Sequence, residues 1–312
     1  MNLKKTGFNF LKISISLIIV YLLFKNVDFN LMLNNLKKVD MLYFFLAAFF
    51  FVVVQQIFFI LRWMSILHFN GIDISFLKIM KYHYMSILFQ TFLPSGIGAD
   101  AAKAVLTLKY GKKSGAINSV LISRGMGILV LFIFALLGSF FIDDSNNMVL
   151  FRCSLIFFVS VIIASGILIR YNRIYNFLMS LKIVSRFKKI KYIVKNFRDN
   201  MDWKLLLKMF MYSVLIQSTV LVIFYFMTIS LGINIDFLSI LTYYPVITIL
   251  VLVIPTINGI GAREYFMFYF YKDYIKTTDM LGSLSIIGYT LYLITILIGL
   301  IFFIYHLIFR KT

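Results

Sequence analysis

The sequence is poor in acidic residues, histidine, proline and cysteine. Its 312 residues include 12 acidic side chains against 31 lysines and arginines, with three histidines, three prolines and one cysteine. A single cysteine excludes an intrachain disulfide and a cysteine-based metal cluster. The histidines, His68, His83 and His306, are too widely spaced to predict a metal site. No segment has the Gly-x-x-x-x-Gly-Lys-Ser/Thr pattern of a nucleotide-binding loop. We therefore expect neither a metal nor a cofactor.

Long polar stretches are also missing, because apolar residues make up 62% of the chain and its mean hydropathy is +0.94. Soluble domains are closer to half apolar. Six runs are long enough to cross a membrane, at residues 8–24, 41–61, 116–141, 148–169, 205–231 and 281–309. They lack the alternation of barrel strands, so the fold class predicted is an all-α polytopic membrane protein. Arg62 and Trp63, at the end of the second run, are interpreted as an interfacial anchor.

Positive charge dominates the segments between these runs. The formal net charge of +19 flanks apolar sequence, which favours anionic lipid headgroups over nucleic acid as a partner. The basic segment 170–203 is predicted to be cytoplasmic, and the acidic connection 142–147 is predicted to lie outside. The same rule places both termini in the cytoplasm of a multi-pass protein of the plasma membrane. Only the connection 25–40 disagrees, because it holds three lysines on the predicted outer side.

The prolines and some of the glycines interrupt the apolar pattern twice in the same way. Pro94 precedes one "GIGA" string and Pro255 precedes another, and Pro245 lies just before the second. Proline removes a helix donor and glycine permits turns that other residues resist. Segments 74–93 and 237–254 are therefore predicted to be helices that break within the membrane. The helix-break motif comprises Pro94, Gly96, Gly98, Pro255, Gly259 and Gly261. Chance repetition of a four-residue string is the alternative interpretation.

The charge pattern gives the two broken segments opposite orientations. The first has to enter and leave the membrane from the cytoplasm, and the second from the outside. We therefore expect about six full transmembrane helices plus two re-entrant hairpins, in one domain over 1–312 whose halves, 1–147 and 148–312, form an inverted repeat. This arrangement is typical of a transporter's central site. Helices that begin at Ala101 and Ala262 would present free N–H groups to an anion.

Five charged residues near the breaks are candidates for binding a substrate: Asp100, Lys103, Arg124, Arg263 and Glu264. A charge at this depth costs about 3 kcal/mol unless it meets a partner or a cavity. Each candidate has a structural alternative. Arg124 would pair with Asp100 or Glu264, Glu264 would hold Arg263 or a backbone amide, and Lys103 would extend to the membrane surface.

Three stretches carry a family resemblance: "TFLPSGIGADAAKAVLTLKYG", "AINSVLISRGMGILVL" and "VIPTINGIGAREYFMFYF". They resemble the transmembrane flippase-like domain of lysylphosphatidylglycerol synthases, over nearly the whole chain. The first stretch matches that family at Pro94, Gly96, Gly98, Asp100 and Lys103, with one alanine inserted before the aspartate. The second matches at Ser119 and Arg124, but Ser123 stands where a glutamate is common. The third matches at Pro255, Gly259, Gly261, Arg263 and Glu264.

The resemblance implies movement of a lipid or a lipid-linked headgroup between leaflets. The chain ends just after its last apolar run, without the soluble catalytic domain of the synthases, so we do not expect the synthase reaction. The expected substrate is an anionic phospholipid or a polyprenyl phosphate lipid. The alternative is a membrane-embedded glycosyl- or phosphate-transferase, which would need its few acidic residues for catalysis. Association with itself or with enzymes of lipid or glycan biosynthesis stays open.

Overall fold

The structure is a computed structural model, and it describes residues 28–90, 97–141, 203–254, 256 and 259–308, with residues 152, 155, 156, 158–160 and 176. Within these residues the chain is helical and contains no strand. The predicted first span, 8–24, lies outside the described residues, as do most of the fourth span, 148–169, and nearly all of the basic segment 170–203. Three members of the helix-break motif, Pro94, Gly96 and Pro255, also lie outside them.

The described helices are α1 (Phe29–Lys37), α2 (Met41–Phe69), α3 (Phe76–Gln90), α4 (Ile97–Thr107), α5 (Lys113–Ser139), α6 (Trp203–Ser230), α7 (Phe237–Val253), α8 (Ala262–Phe270) and α9 (Thr278–Ile308). Four of them, α2, α5, α6 and α9, have 27 to 31 residues and are apolar enough to cross a membrane. At 1.5 Å per residue such helices exceed the roughly 30 Å of a bilayer's hydrocarbon core. The chain is thus a polytopic helical membrane protein. Pro245 lies inside α7 and does not end it.

Aspartates are the N-cap residues of three of these helices. These three residues are a quarter of the chain's 12 acidic residues. Asp28 accepts hydrogen bonds from the N–H groups of Asn30 and Leu31 at the start of α1. Asp40 accepts one from Leu42 at the start of α2, and Asp236 accepts one from Ser239 at the start of α7. Each cap satisfies backbone donors that a helix leaves unpaired in its first turn.

A second pair of matching segments, at the same 161-residue offset that separates Pro94 from Pro255, follows the ends of α2 and α6. "GIDISFL" at 71–77 matches "GINIDFL" at 232–238 in five of seven positions. Gly71 and Gly232 both have φ of +71°. Ile72 donates to the Leu67 carbonyl and Ile233 donates to the Thr228 carbonyl, each at 2.9 Å. The same glycine-based cap therefore closes both helices. The buried isoleucines of the two segments occupy separate but equivalent core clusters.

Helices α2 and α6 pack side by side in opposite directions. The backbone N–H of Asp40, at the start of α2, donates to the Ser230 carbonyl at the end of α6 over 2.8 Å. Arg62, near the other end of α2, donates to the Ser213 hydroxyl in the first half of α6. Because these helices occupy equivalent positions in the 161-residue repeat, the sequence that follows α2 starts from the opposite end of the bundle to the sequence that follows α6.

Two glycines at the same 161-residue offset let the first set of helices, α2 to α5, pack across the second set, α6 to α9. Gly138 of α5 lies against the backbone of Leu241 and Thr242 in α7, where an added Cβ would be 2.5 Å from the Leu241 carbonyl oxygen. Gly299 of α9 lies in the same way against the Tyr84 carbonyl of α3. Small residues allow such close helix contacts in membrane proteins. The long last helix of each set thus packs against the short α3 or α7 of the other set.

Candidate functional site

A cavity of about 420 Å³ lies where the two sets of helices meet. Its walls come from α2, α3 and α4 of the first set and from α6, α7, α8 and α9 of the second. The lining is mostly apolar, with a minority of charged and polar groups, and the volume falls within the range of small-ligand sites. Helices α4 and α8, which follow the two predicted breaks, therefore meet at one cavity.

Four of the five predicted charged residues line this cavity. Asp100 and Lys103 reach it from α4, and Arg263 and Glu264 reach it from α8. The fifth, Arg124, is not one of its lining residues. Its guanidinium lies on α5 and donates to the Asp100 carboxylate over 2.7 Å. Residues from two distant segments thus line one cavity, and Arg124 contacts the cavity wall through Asp100.

The ion pair between Arg124 and Asp100 joins α4 to α5. Both side chains are about one-third exposed, at 34% and 28%. Exposure weakens the Coulomb attraction through solvent screening, so the pair contributes about 1 kcal/mol or less in an aqueous setting. Its more definite effect is to neutralise the carboxylate of Asp100 at the cavity wall. Of the two structural partners considered for Arg124, Asp100 is the one found.

Glu264 holds the second break together from inside the helix that follows it. Its side chain is 2% exposed. One carboxylate oxygen accepts the N–H of Gly261 at 2.6 Å, and the other accepts the hydroxyl of Tyr289 at 2.6 Å. The negative charge sits at the N-terminus of α8, where the helix dipole stabilises it. The interpretation of Glu264 as a holder of a backbone amide is therefore correct.

The glycines of the second break are needed for their backbone conformation. Gly259 and Gly261 have φ of +80° and +83°, a region that other L-residues seldom occupy. Helix α8 begins at Ala262, as predicted. The first break differs, because α4 begins at Ile97 and not at Ala101, so Gly98 lies within the first helical turn. The assignment of Gly98 to a turn is thus wrong, since the helix starts four residues earlier than the motif suggested.

Lys103 rests on aromatic rings at the cavity wall. Its ammonium lies 5.5 Å from the ring centroid of Trp63 and 6.0 Å from that of Phe59. Such contacts stabilise a cation by about 0.5 to 2 kcal/mol, most when water is excluded. Among the described residues, no carboxylate lies within 4 Å of this ammonium. Lys103 therefore faces the cavity with no carboxylate in direct contact and with Asp100 acting on it at longer range, in place of the predicted extension to the membrane surface.

Arg62 is a buried residue, and its predicted role as an interfacial anchor is wrong. Helix α2 continues to Phe69, and the Arg62 side chain is only 5% exposed. Its Nε donates to the Ser123 hydroxyl at 3.1 Å and its Nη1 to the Ser213 hydroxyl at 2.9 Å. Ser123 is the position where the resembled family commonly has glutamate. The guanidinium thus binds two neutral hydroxyls, one from α5 and one from α6. Its carbon also lies 5.3 Å from the centroid of the Phe59 ring, which Lys103 contacts as well.

A polar pair on the cavity wall was also missed. His83 on α3 lies 2.8 Å from the Gln56 side-chain oxygen, and the Gln56 amide nitrogen donates to the Phe51 carbonyl at 2.8 Å. That carbonyl is accessible because α2 passes through a π-helical turn at Phe50–Val54, a distortion frequent at functional sites. Since the amide oxygen only accepts, His83 carries its proton on Nε2. Two adjacent glutamines inside an apolar run were the signal for this pair.

Comparison with known protein families identifies the family to which this chain belongs. A family model described as the lysylphosphatidylglycerol synthase TM region matches residues 9–305, nearly the whole chain. No curated protein matches the chain closely enough to add a relative of known activity. The match includes both breaks and all five charged candidates. The chain therefore belongs to the family of lysylphosphatidylglycerol synthase transmembrane regions.

Proposed function

We propose that this protein moves a lipid with an anionic headgroup, a phospholipid or a polyprenyl-linked lipid, between the leaflets of the plasma membrane. The headgroup passes through the 420 Å³ cavity, and its acyl or prenyl chain stays in the bilayer. Family membership and four long membrane helices support a role in lipid metabolism or transport.

The first support is the arrangement of the breaks. Helices α3 and α4 pack as one hairpin, and α7 and α8 pack as another. Because α2 and α6 run antiparallel, these hairpins start from opposite ends of the bundle. We infer that they are re-entrant hairpins of an inverted repeat, with both chain termini in the cytoplasm. Transporters built this way bind their substrates between the two broken helices.

The observation that carries the proposal is the unbalanced charge of the cavity. Asp100 is neutralised by Arg124, and Glu264 is occupied by Gly261 and Tyr289. Lys103 has no carboxylate within 4 Å among the described residues, although Asp100 attracts it at longer range. Arg263 enters the same cavity from the opposite hairpin. The cations Lys103, Arg124 and Arg263 thus exceed the carboxylates of Asp100 and Glu264 by one charge. A cation inside the membrane is costly unless an anion compensates it. A headgroup phosphate between Lys103 and Arg263 would supply that anion.

The alternative of a membrane enzyme would need Asp100 or Glu264 as an acid, a base or a nucleophile. Both carboxylates line the cavity, but both already serve structural partners. We therefore favour transport without covalent change of the lipid.

A proteoliposome assay tests the proposal. Lipids with a fluorescent headgroup, one anionic and one zwitterionic, are exposed to dithionite after reconstitution, and lipid extracts are examined by mass spectrometry. We expect the protein to bring fluorescent anionic lipid from the inner leaflet to the outer leaflet, where dithionite reduces it. Mass spectrometry should show no new lipid product. The Lys103→Gln and Arg263→Gln double variant should lose this activity, whereas Lys208→Gln, which removes an exposed lysine of α6, should keep it. Equal activity in the double variant and the parent would overturn the proposal.

Cysteine labelling tests the inverted hairpins. In a Cys153→Ser background, cysteines at Asp73 and Lys112 flank the first hairpin, and cysteines at Asn234 and Thr277 flank the second; all four positions are exposed. An impermeant thiol reagent should label the first two positions from one side of the membrane and the last two from the other. Labelling of all four from one side would contradict the inverted repeat.

A further inference from the structure

The outer ends of the two hairpins carry opposite charge. We define the first base as residues 71–81 and 107–113, and the second base as residues 232–242 and 271–279. The first base holds one aspartate and five lysines: Asp73, Lys78, Lys81, Lys109, Lys112 and Lys113. The second base holds three aspartates and two lysines: Asp236, Asp273, Asp279, Lys272 and Lys276. Because α2 and α6 are antiparallel, these bases lie at opposite ends of the bundle.

The lysines of the first base are assembled in three dimensions. The ammonium groups of Lys78 on α3 and Lys109 after α4 each lie 5.1 Å from the ring centroid of Tyr110. Lys81 lies 4.1 Å from the ring centroid of Tyr305, near the end of α9. Two separate parts of the chain, α3 and the segment after α4, thus bring three cations onto two tyrosine rings. A topology signal requires only basic residues in the sequence, so it does not account for this convergence.

Tyr110 responds to the positive charge around it. Partial burial by itself would raise its pKa, but the hydrogen bond with Tyr82 and the neighbouring Lys78 and Lys109 ammoniums lower the pKa below that of an ordinary tyrosine. The two tyrosine hydroxyls lie 2.8 Å apart. No carboxylate among the described residues lies within 4 Å of any of the five lysines. Four of these lysines are exposed, and Lys81 is half-buried.

We propose that the first base is a docking site for anionic lipid headgroups at the membrane surface, separate from the cavity. Each cation near an anionic leaflet attracts acidic lipid by about 1 kcal/mol, and tyrosine rings favour the depth of the headgroups. The second base repels the same headgroups, and its Asp236 is held by Tyr274 and Ser239. The protein therefore collects anionic lipid at one face and not at the other. This asymmetry is independent of whether the collected lipid then crosses the membrane.

Local quenching of a fluorescent label tests the site on the full-length protein. A bimane group is attached at Ser75→Cys in the first base, or at Asn234→Cys in the second base, with Cys153→Ser in both. The protein is reconstituted in phosphatidylcholine vesicles with rising fractions of brominated phosphatidylserine or brominated phosphatidylcholine. We expect the serine lipid to quench the Ser75 label at a lower fraction than the choline lipid, and the Asn234 label to show no such preference.

Charge variants complete the test. Lys109→Gln should raise the fraction of phosphatidylserine for half-maximal quenching about fivefold, the effect of one surface charge. The triple variant Lys78→Gln, Lys81→Gln and Lys109→Gln should abolish the preference. The triple arginine variant should keep it, and so should the matched control Lys272→Gln with Lys276→Gln. A preference that survives the triple glutamine variant, or disappears in the triple arginine variant, would overturn the proposal.

Two further outcomes separate this site from its alternatives. If inorganic phosphate displaces the serine lipid better than chloride at equal ionic strength, the site binds a free anion and the lipid proposal is wrong. If the Lys103→Gln and Arg263→Gln variant loses transport but keeps the quenching preference, the first base binds anionic lipid independently of the cavity. If that variant loses the preference, the first base is not a separate site.

Discussion

Glutamine at position 264 should be tolerated far better than alanine, although both remove the charge that holds the second break. Each oxygen of Glu264 accepts one hydrogen bond, from the Gly261 N–H and from the Tyr289 hydroxyl. Glutamine has one accepting oxygen and one donating NH₂. The oxygen can still receive the Gly261 N–H, and the Tyr289 hydroxyl can rotate to accept from the NH₂. Both pairs therefore survive in Glu264→Gln, but not in Glu264→Ala.

The expected sizes follow from these contacts. A hydrogen bond to a charged group contributes about 1.5 to 3 kcal/mol and a neutral one about 0.5 to 1.5 kcal/mol, so Glu264→Gln should cost about 2 kcal/mol. Glu264→Ala leaves the buried N–H of Gly261 without its partner and opens a space, which should cost about 4 kcal/mol. Tyr289→Phe in the parent removes a hydrogen bond to a buried carboxylate and should cost about 1.5 to 3 kcal/mol, whereas with Glu264→Gln the lost hydrogen bond is neutral and should cost about 0.5 to 1.5 kcal/mol.

Thermal unfolding in detergent measures these differences through the fluorescence of Trp63 and Trp203, the only tryptophans in the chain. At about 2 °C per kcal/mol for a chain of this size, Glu264→Gln should lower the Tm by roughly 4 °C and Glu264→Ala by roughly 8 °C. Tyr289→Phe should couple to Glu264→Gln in a double-mutant cycle. Equal Tm values for the glutamine and alanine variants would refute the reasoning, because the hydrogen bonds would then contribute nothing beyond the charge.

Three more predictions concern packing, burial and pH. Gly138→Ala should lower the Tm by several degrees, because its Cβ would press on the Leu241 carbonyl, whereas Gly125→Ala has open space and should raise the Tm slightly. Ser213→Ala should cost about 1.5 to 3 kcal/mol in unfolding, since it removes an acceptor from the buried Arg62 guanidinium. Partial burial would raise the pKa of Asp236, but its hydrogen bonds lower it. Asp236→Asn should therefore be less stable than the parent at neutral pH, and the difference should disappear as the pH falls below about 4. A constant difference across that range would contradict the assignment.

The sequence predicted the second break well, because its determinants are local. A glycine that needs a positive φ, a proline and the first turn of α8 all lie within a few residues of each other. Convergence of α4 and α8 on one cavity was also predictable, since the charges beside two matching breaks need a shared polar environment. The same local pattern misplaced Gly98, because α4 can extend backwards through glycine when its surroundings favour a helix.

Arg62 could not be assigned from its neighbours in sequence. Hydropathy ends a predicted span at the first charge, but this guanidinium is satisfied by serines 61 and 151 residues away. The repeat of "GIDISFL" and "GINIDFL" was visible in the sequence. It was overlooked because it lies in short connections, where no apolar run marked it for comparison. Its significance came from the matching glycine caps of α2 and α6.

The crossed glycine contacts have a consequence for how this protein is made. Helix α3 packs against α9 through Tyr84 and Gly299, and about 200 residues of synthesis separate these two positions. At 5 to 20 residues per second the ribosome needs about 10 to 40 s to supply the missing partner. During that interval the surface of α3 that contacts α9 is uncovered. The packing of α3 is therefore completed only near the end of translation, and a chain interrupted before α9 leaves α3 without this partner.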